Sequence, residues 1–180
     1  MLYSYDESVE RYGSKYLLKK AVEAGKIYKL EKGVYSDEKY VPEKCIIAMK
    51  YPKGVFTMNT AFYHYNLTDV IPDEYQLATD RNAAKISDKR VIQIFEQADL
   101  LMLGATTEQI NGCTINIYNK ERLLVELLRH KSKLPFDYYK EVLLNYRDII
   151  HELDIRLIQD YAEAVPKSTM IMETLKLEVL

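Results

Sequence analysis

Apolar and polar positions alternate along this chain in two different periods, and the switches between them mark out its elements. Residues 6–12 read as a short helix that Gly13 breaks. Ser14 then suits an N-cap, and residues 15–24 continue with good helix formers. Leu17, Leu18, Ala21 and Val22 form the apolar stripe of that second helix, with Gly25 fitting its exit. Two β-prone runs follow, at 26–30 and 34–36. They flank a three-residue connection, Glu31-Lys32-Gly33, which predicts a hairpin. Residues 37–53 read as a link containing one helix, 43–50, opened by Pro42. A buried strand at 55–58 leads into a helix at 60–65, with Asn59 as its expected cap and Asn66 as its exit.

Strands are predicted at 75–79, 90–95, 100–103 and 113–118. The last alternates Cys113, Ile115 and Ile117 against Thr114, Asn116 and Tyr118, and Asn111-Gly112 is a turn signal ahead of it. From Asn119 onward the period is helical. Leu123, Leu124, Leu127 and Leu128 make one stripe. Tyr139, Val142, Leu143 and Tyr146 make a second after the Leu134-Pro135 break, and Leu153, Leu157, Ile158 and Tyr161 a third. Pro166 ends the third, and a last short helix is expected from Thr169.

The order helix, tight turn, helix, hairpin is the outline of a winged helix–turn–helix without its usual first helix. The predicted fold class is therefore α+β. It comprises a minimal winged helix–turn–helix over residues 1–36 and a larger sheet domain with a helical C-terminal end over residues 37–180. In such a unit the second helix enters the major groove, with its first residues at the base edges. That nominates Ser14, Lys15 and Tyr16 for contacts with bases or sugars. Lys19 lies one turn beyond Lys15 on the same face, Lys20 is in reach of a flanking phosphate, and Lys29 and Lys32 bring the wing's charge to the backbone.

Charge sharpens this picture. The 180 residues carry a formal net charge of −2. Residues 1–53 hold 11 Lys and Arg against 8 Asp and Glu, and the remainder holds 14 against 19, so a basic front is joined to an acidic rear. The basic part implies a polyanion partner. Apolar residues make up 48% of the chain, enough for a buried core. Cys45 and Cys113 sit among apolar neighbours without metal-ligand spacing. They are expected to be reduced core residues, which would place the chain in the cytoplasm. The sequence predicts no membrane span and no signal peptide.

Catalytic chemistry finds little to stand on. Gly13-Ser14 would open a nucleotidyltransferase site only with two Mg²⁺-holding acids about ten residues on, and only Glu23 is there. His64, His130 and His151 lack a second ligand at helical spacing, and there is no G-x-S-x-G elbow, P-loop or G-x-G-x-x-G. The expectation is a non-enzyme with no metal and no cofactor. Arg122, Glu126 and Arg129 are spaced i, i+4 and i+3. They make either a surface salt ladder or, with Arg122 buried, a tie from helix to sheet.

Four stretches in order resemble the AbiEi family of antitoxin and transcriptional regulators from bacterial abortive-infection toxin–antitoxin pairs. They are the run from Gly25 to Tyr35, the run from Val55 to Asp69 ending at Ile71-Pro72, the Tyr118-Asn119-Lys120-Glu121-Arg122 helix opening, and the closing helices through Tyr146 and Tyr161-Ala162. Thr60-Ala61-Phe62 stands where the family usually has Ser-Ala-Leu, Glu126 where an Asp is common, and the leading helix is short or missing. The resemblance implies a protein that represses its own operon through the N-terminal module. It also implies a larger domain that counters a toxin resembling a nucleotidyltransferase. The partners to expect are then double-stranded operator DNA and a cognate toxin, with the chain a monomer or a homodimer. Two other readings stay open: a protein-interaction module that neutralises a toxin without touching DNA, and a catalytically inert nucleotide-binding protein.

Overall fold

A computed structural model describes all 180 residues as a mixed α+β protein with eight α-helices and two sheets. The chain divides into two compact units. One comprises Met1–Lys53 with Thr107–Ile115, the other Gly54–Thr106 with Asn116–Leu180. The boundary expected after Ser36 falls inside the first unit.

The first unit runs β1 (Leu2–Ser4), α1 (Tyr5–Tyr12), α2 (Lys15–Glu23), β2 (Tyr28–Glu31), β3 (Val34–Ser36) and α3 (Glu43–Lys50). Its three strands lie in the order β1-β3-β2, all antiparallel. A capping box starts α1. The Ser4 hydroxyl accepts from the Glu7 amide, and the Glu7 carboxylate accepts from the Ser4 amide. The expected three-residue connection is tighter than the sequence suggests. Glu31 already faces Val34, so only Lys32 and Gly33 turn the chain, and a bulge at Leu30 takes up the extra residue. The core is Leu18, Ala21, Ile27 and Tyr35, with Tyr3, Tyr5, Val9, Tyr12 and Val22 packed against it. Leu17 departs from its predicted place in the stripe: it is 48% exposed.

The cysteines correct a further expectation. Cys45 of α3 and Cys113 form a disulfide with their Cα atoms 5.8 Å apart. They are thus not reduced, and the inference of a reducing compartment from them falls. Cys45 is buried and Cys113 half-buried at their contact.

The second unit contributes β4 (Val55–Phe56), α4 (Met58–His64), β5 (Tyr75–Asp80), β6 (Val91–Glu96), α5 (Lys120–Arg129), α6 (Phe136–Ile149), α7 (Ile155–Ala164) and α8 (Ser168–Thr174). The five-stranded sheet also takes in β7 (Ala105–Ile110) and β8 (Cys113–Tyr118), whose residues 107–115 belong to the first unit, in the order β6-β5-β4-β8-β7. β4 is antiparallel to β5 and parallel to β8, and β5 is parallel to β6. Asn111-Gly112 makes the predicted β7–β8 turn, both residues at positive φ. The strand expected at 100–103 is instead a turn. β8 lies between β4 and β7, and β7 is the polar run Ala-Thr-Thr-Glu-Gln-Ile, an edge strand with no buried residue to leave an apolar signature. Asn59 does not cap α4. Thr57 occupies that position, and the Asn59 amide donates to the Gln76 side chain instead.

Helix α5 is buried at every position from Arg122 to Leu128. It packs against α4, α6, α7 and α8, so it is the axis of the helical end. Arg122 has no exposed surface, which settles the choice between surface ladder and buried tie. Its Nε donates to Glu126 Oε1 at 3.0 Å, one terminal nitrogen to the carbonyls of Leu100 (3.3 Å) and Leu103 (3.1 Å), and the other to Glu96 Oε2 at 3.3 Å. Arg129 donates to the same two carboxylates. His130 Nε2 lies 3.2 Å from Glu126 Oε2, near enough for an ion pair but not aligned as a hydrogen bond. Gly104 makes room for this cluster: it sits at φ +75°, and a Cβ there would fall 2.5 Å from Arg122 Cβ.

Burial is the strongest influence on the Glu126 carboxyl and pushes its pKa up. His130, Arg122 and Arg129 together outweigh it and hold the group below the usual carboxylate range. A depressed folded-state pKa contributes stability that is present above the unfolded value and lost as pH falls through the folded one. Urea midpoints should therefore hold down to about pH 4.5 and decline below it. Glu126→Gln should lose about 3–5 kcal/mol at neutral pH, because Arg122 is left underpaired, and should flatten the acid limb. An acid limb unchanged by the substitution would show that Glu126 is not the group responsible. For the disulfide, which closes a 68-residue separation, urea unfolding with and without a thiol reductant should differ by about 2–4 kcal/mol. Two titratable thiols in native protein purified without reductant would contradict the bond.

Candidate nucleic-acid interface

Gly13 and Ser14 set the angle between the first two helices. Gly13 ends α1 at φ +83°, a left-handed conformation that an L side chain resists, and its amide returns to the Glu10 carbonyl. Ser14 then begins α2 in an extended conformation, and its Oγ accepts from the Leu17 amide at 3.2 Å. The Gly-Ser pair thus ends one helix and starts the next within two residues, with the serine oxygen committed to capping.

Leu18 and Ala21 turn α2 toward the core, which leaves the opposite side to solvent. Lys15, Tyr16, Lys19 and Lys20 are all exposed, Tyr16 by 64%. Lys15, Tyr16 and Lys19 join Lys29 of β2 around one open groove of about 650 Å³. Its floor is Leu18 and Val22 from α2, with Tyr5 and Tyr35. Four of the seven nominated residues are therefore brought together, three from the helix and one from the hairpin.

The other three lie apart from that groove. Lys20 lines a separate cavity of about 560 Å³ with Tyr12, Leu17, Glu23 and Lys26, and its ammonium sits 4.8 Å from the Tyr16 ring centre. Ser14 is the cap. Lys32 is exposed at the tip of the two-residue β2–β3 turn. Lys19 has an acidic neighbour in Glu23, 3.8 Å away, but both side chains are more than 60% exposed, so the pair is weak and leaves the ammonium available.

Sequence reasoning passed over Lys26 and Leu17. Lys26 follows the helix exit, and its amide bonds to the Ala21 carbonyl, which folds it back beside α2. It belongs to the first run of the predicted hairpin, residues 26–30, as one more lysine of the basic front, but of that run only Lys29 was nominated. Arg11 is exposed but lines neither groove. It donates to Asp37 and lies over the Tyr3 ring, which ties α1 to the chain after β3. No group of three or more His, Cys, Asp or Glu is placed to hold a metal ion, and no helix is long and apolar enough to cross a membrane.

Set against family models and against curated proteins, the chain matches none.

The cap gives this site a structural test. Ser14→Ala removes the acceptor for the Leu17 amide and should cost about 0.5–2 kcal/mol in urea unfolding, while Ser14→Asp should restore it. Equal stability of Ser14→Ala and the parent would show that α2 does not depend on the cap.

Proposed function

We propose that this protein is an antitoxin-type transcriptional regulator that binds its own promoter DNA and counters a nucleotidyltransferase-like toxin. The DNA half of this reading is supported by one arrangement: Lys15, Tyr16, Lys19 and Lys29 surround one exposed groove between a helix and a hairpin. The order β1-α1-α2-β2-β3 with sheet order β1-β3-β2 suits a winged helix–turn–helix reduced to its second and third helices. In that arrangement α2 is the reading helix and the β2–β3 turn is the wing.

The roles follow from position. Tyr16, in the first turn of α2, presents an amphipathic ring to base edges, its apolar part suited to a thymine methyl. Lys15 and Lys19, one helical turn apart, neutralise phosphates on one strand. Lys20 does so on the other side of the helix. Lys29 and Lys32 carry the wing's charge to the flanking backbone, and the Ser14 hydroxyl keeps its proton to donate to a phosphate while its oxygen caps the helix. The antitoxin half rests on the sequence resemblance, and the second unit is the part assigned to the toxin. Operator DNA as a target puts the protein in the cytoplasm of a bacterial cell.

Gel-shift titrations on DNA from upstream of the gene test this reading. Because affinity comes mainly from phosphate neutralisation, log K should fall steeply with log salt concentration. Lys15→Ala with Lys19→Ala should weaken binding on every sequence tried and reduce that slope by about 2. A flat salt response, or binding indifferent to both substitutions, would overturn the DNA reading. Rescue of toxin-expressing cells by the chain without any shift would favour the protein-interaction role.

A further inference from the structure

Strand β6 (Val91–Glu96) ends the five-stranded sheet, and its only sheet neighbour is β5. The Tyr75 amide bonds to the Arg90 carbonyl and the Arg81 amide to the Glu96 carbonyl. In a parallel ladder the residues that face the neighbour alternate, so Arg90, Ile92, Ile94 and Glu96 turn their backbone groups toward β5. Val91, Gln93 and Phe95 turn theirs outward. The Val91 amide is taken up by the Asp88 carbonyl. The Val91 carbonyl and both backbone groups of Gln93 and Phe95 then form an open row.

Natural edge strands are commonly kept short, charged, bulged or interrupted by proline. This one has six residues, no proline, an unbroken register with β5, and no charge from Val91 to Phe95. Ile92 is 40% exposed and Phe95 49%. The Gln93 side chain is held on the sheet's face by Thr79, Ala84 and Ile86, which fixes the strand and leaves its edge extended.

We infer that β6 pairs with β6 of a second copy of this chain, antiparallel and centred on Gln93. The sequence Val-Ile-Gln-Ile-Phe has the same apolar–polar pattern read in either direction, as a two-fold contact requires. In that register Gln93 faces Gln93 of the second copy as a hydrogen-bonded pair. Val91 faces Phe95 and Ile92 faces Ile94, so every other cross-strand pair is apolar against apolar. The first charged residues met on either side are Arg90 and Glu96, and the same register sets each opposite the other, so no like charges meet. The outward groups supply four hydrogen bonds between the copies: two between the Gln93 residues, and one from each Phe95 amide to a Val91 carbonyl. This pairing is independent of whether the protein binds DNA.

Sedimentation equilibrium of the full chain, with hydrogen exchange of the Gln93 and Phe95 amides, tests the pairing. The parent protein should sediment as a dimer, with both amides protected more strongly as concentration rises. Phe95→Lys, at an exposed position, should weaken association at least tenfold and remove that concentration dependence. Adding Val91→Glu should restore it, because the introduced ammonium and carboxylate would face one another across the two-fold axis. Should Phe95→Lys fail to give a folded circular-dichroism spectrum, Ile92→Lys serves the same purpose on the other face. A parent that stays monomeric throughout the concentration range overturns the pairing, as does a dimer indifferent to both lysine substitutions. A dimer that Phe95→Lys breaks and Val91→Glu does not rescue overturns the register.

Discussion

A guanidinium group has five N–H donors and cannot shed its charge, so burying one demands an acceptor for each donor and a carboxylate to balance it. Arg122 meets that demand with two carbonyls of a loop, Leu100 and Leu103, and two carboxylates, Glu96 and Glu126, the latter facing both Nε and a terminal nitrogen at 3.0 Å. These groups come from three places in the chain: the end of β6, the turn after it, and α5 itself. Much else in the second unit then follows. Gly104 has to be a glycine because the loop passes over Arg122 Cβ. Tyr118 lays its ring 4.8 Å from the guanidinium and donates its hydroxyl to the Leu101 carbonyl. Asn119 caps α5 by accepting from the Arg122 amide. Arg129 adds a second positive charge, so two cations meet two carboxylates and the cluster is close to neutral without His130.

The cluster also anchors β6, which keeps an unbroken register with β5 to its last residue. Glu96 is its last residue and is 5% exposed, held by Arg122 and Arg129. At the other end Arg90 and Asp88 form a paired side-chain fork. A strand pinned at both ends and through Gln93 in the middle loses little further freedom when another strand joins its edge. Ordering of chain and side chains adds to the translational and rotational cost of any association, so a strand already held rigid lowers that cost.

The helices were largely legible in the sequence because each carries an apolar stripe with a stop or start residue at its ends. Gly13 and Ser14, Asn119, and Pro135 mark boundaries that the structure keeps. The strands were legible where apolar residues run together or alternate: β6 shows itself by its Val-Ile-Gln-Ile-Phe run although it is an edge with Ile92 and Phe95 exposed. β8 alternates and was found; β7, the polar run Ala-Thr-Thr-Glu-Gln-Ile, was not. The Leu100–Leu103 run drew a strand assignment because a loop that closes over a buried arginine must itself be apolar. The disulfide was invisible for a related reason: two cysteines 68 residues apart carry no spacing signal, and only the β7–β8 turn brings Cys113 to α3. At the candidate interface, Lys15, Tyr16 and Lys19 were legible from helical period alone. That Lys29 joins them while Lys20 does not depends on how the hairpin packs on α2, a tertiary fact.

The composition of 16 tyrosines and no tryptophan has a physical counterpart. A tyrosine can bury its ring and still deliver its hydroxyl to a polar group at the margin of the core. Tyr146 does this against the Lys120 carbonyl, Tyr139 against Glu178, and Tyr3 against Asp37. Elsewhere the rings lie beneath lysines: Tyr16 under Lys20, Tyr65 under Lys120, Tyr139 under Lys131. An ammonium resting on an aromatic face is partly ordered without losing its charge or its access to solvent. In the first unit this has a direct consequence for α2. Its core is small, so the helix relies on tyrosines for packing on one side and carries a tyrosine-supported lysine on the other. The same residue type that stabilises the helix thus also holds part of its positive side in place.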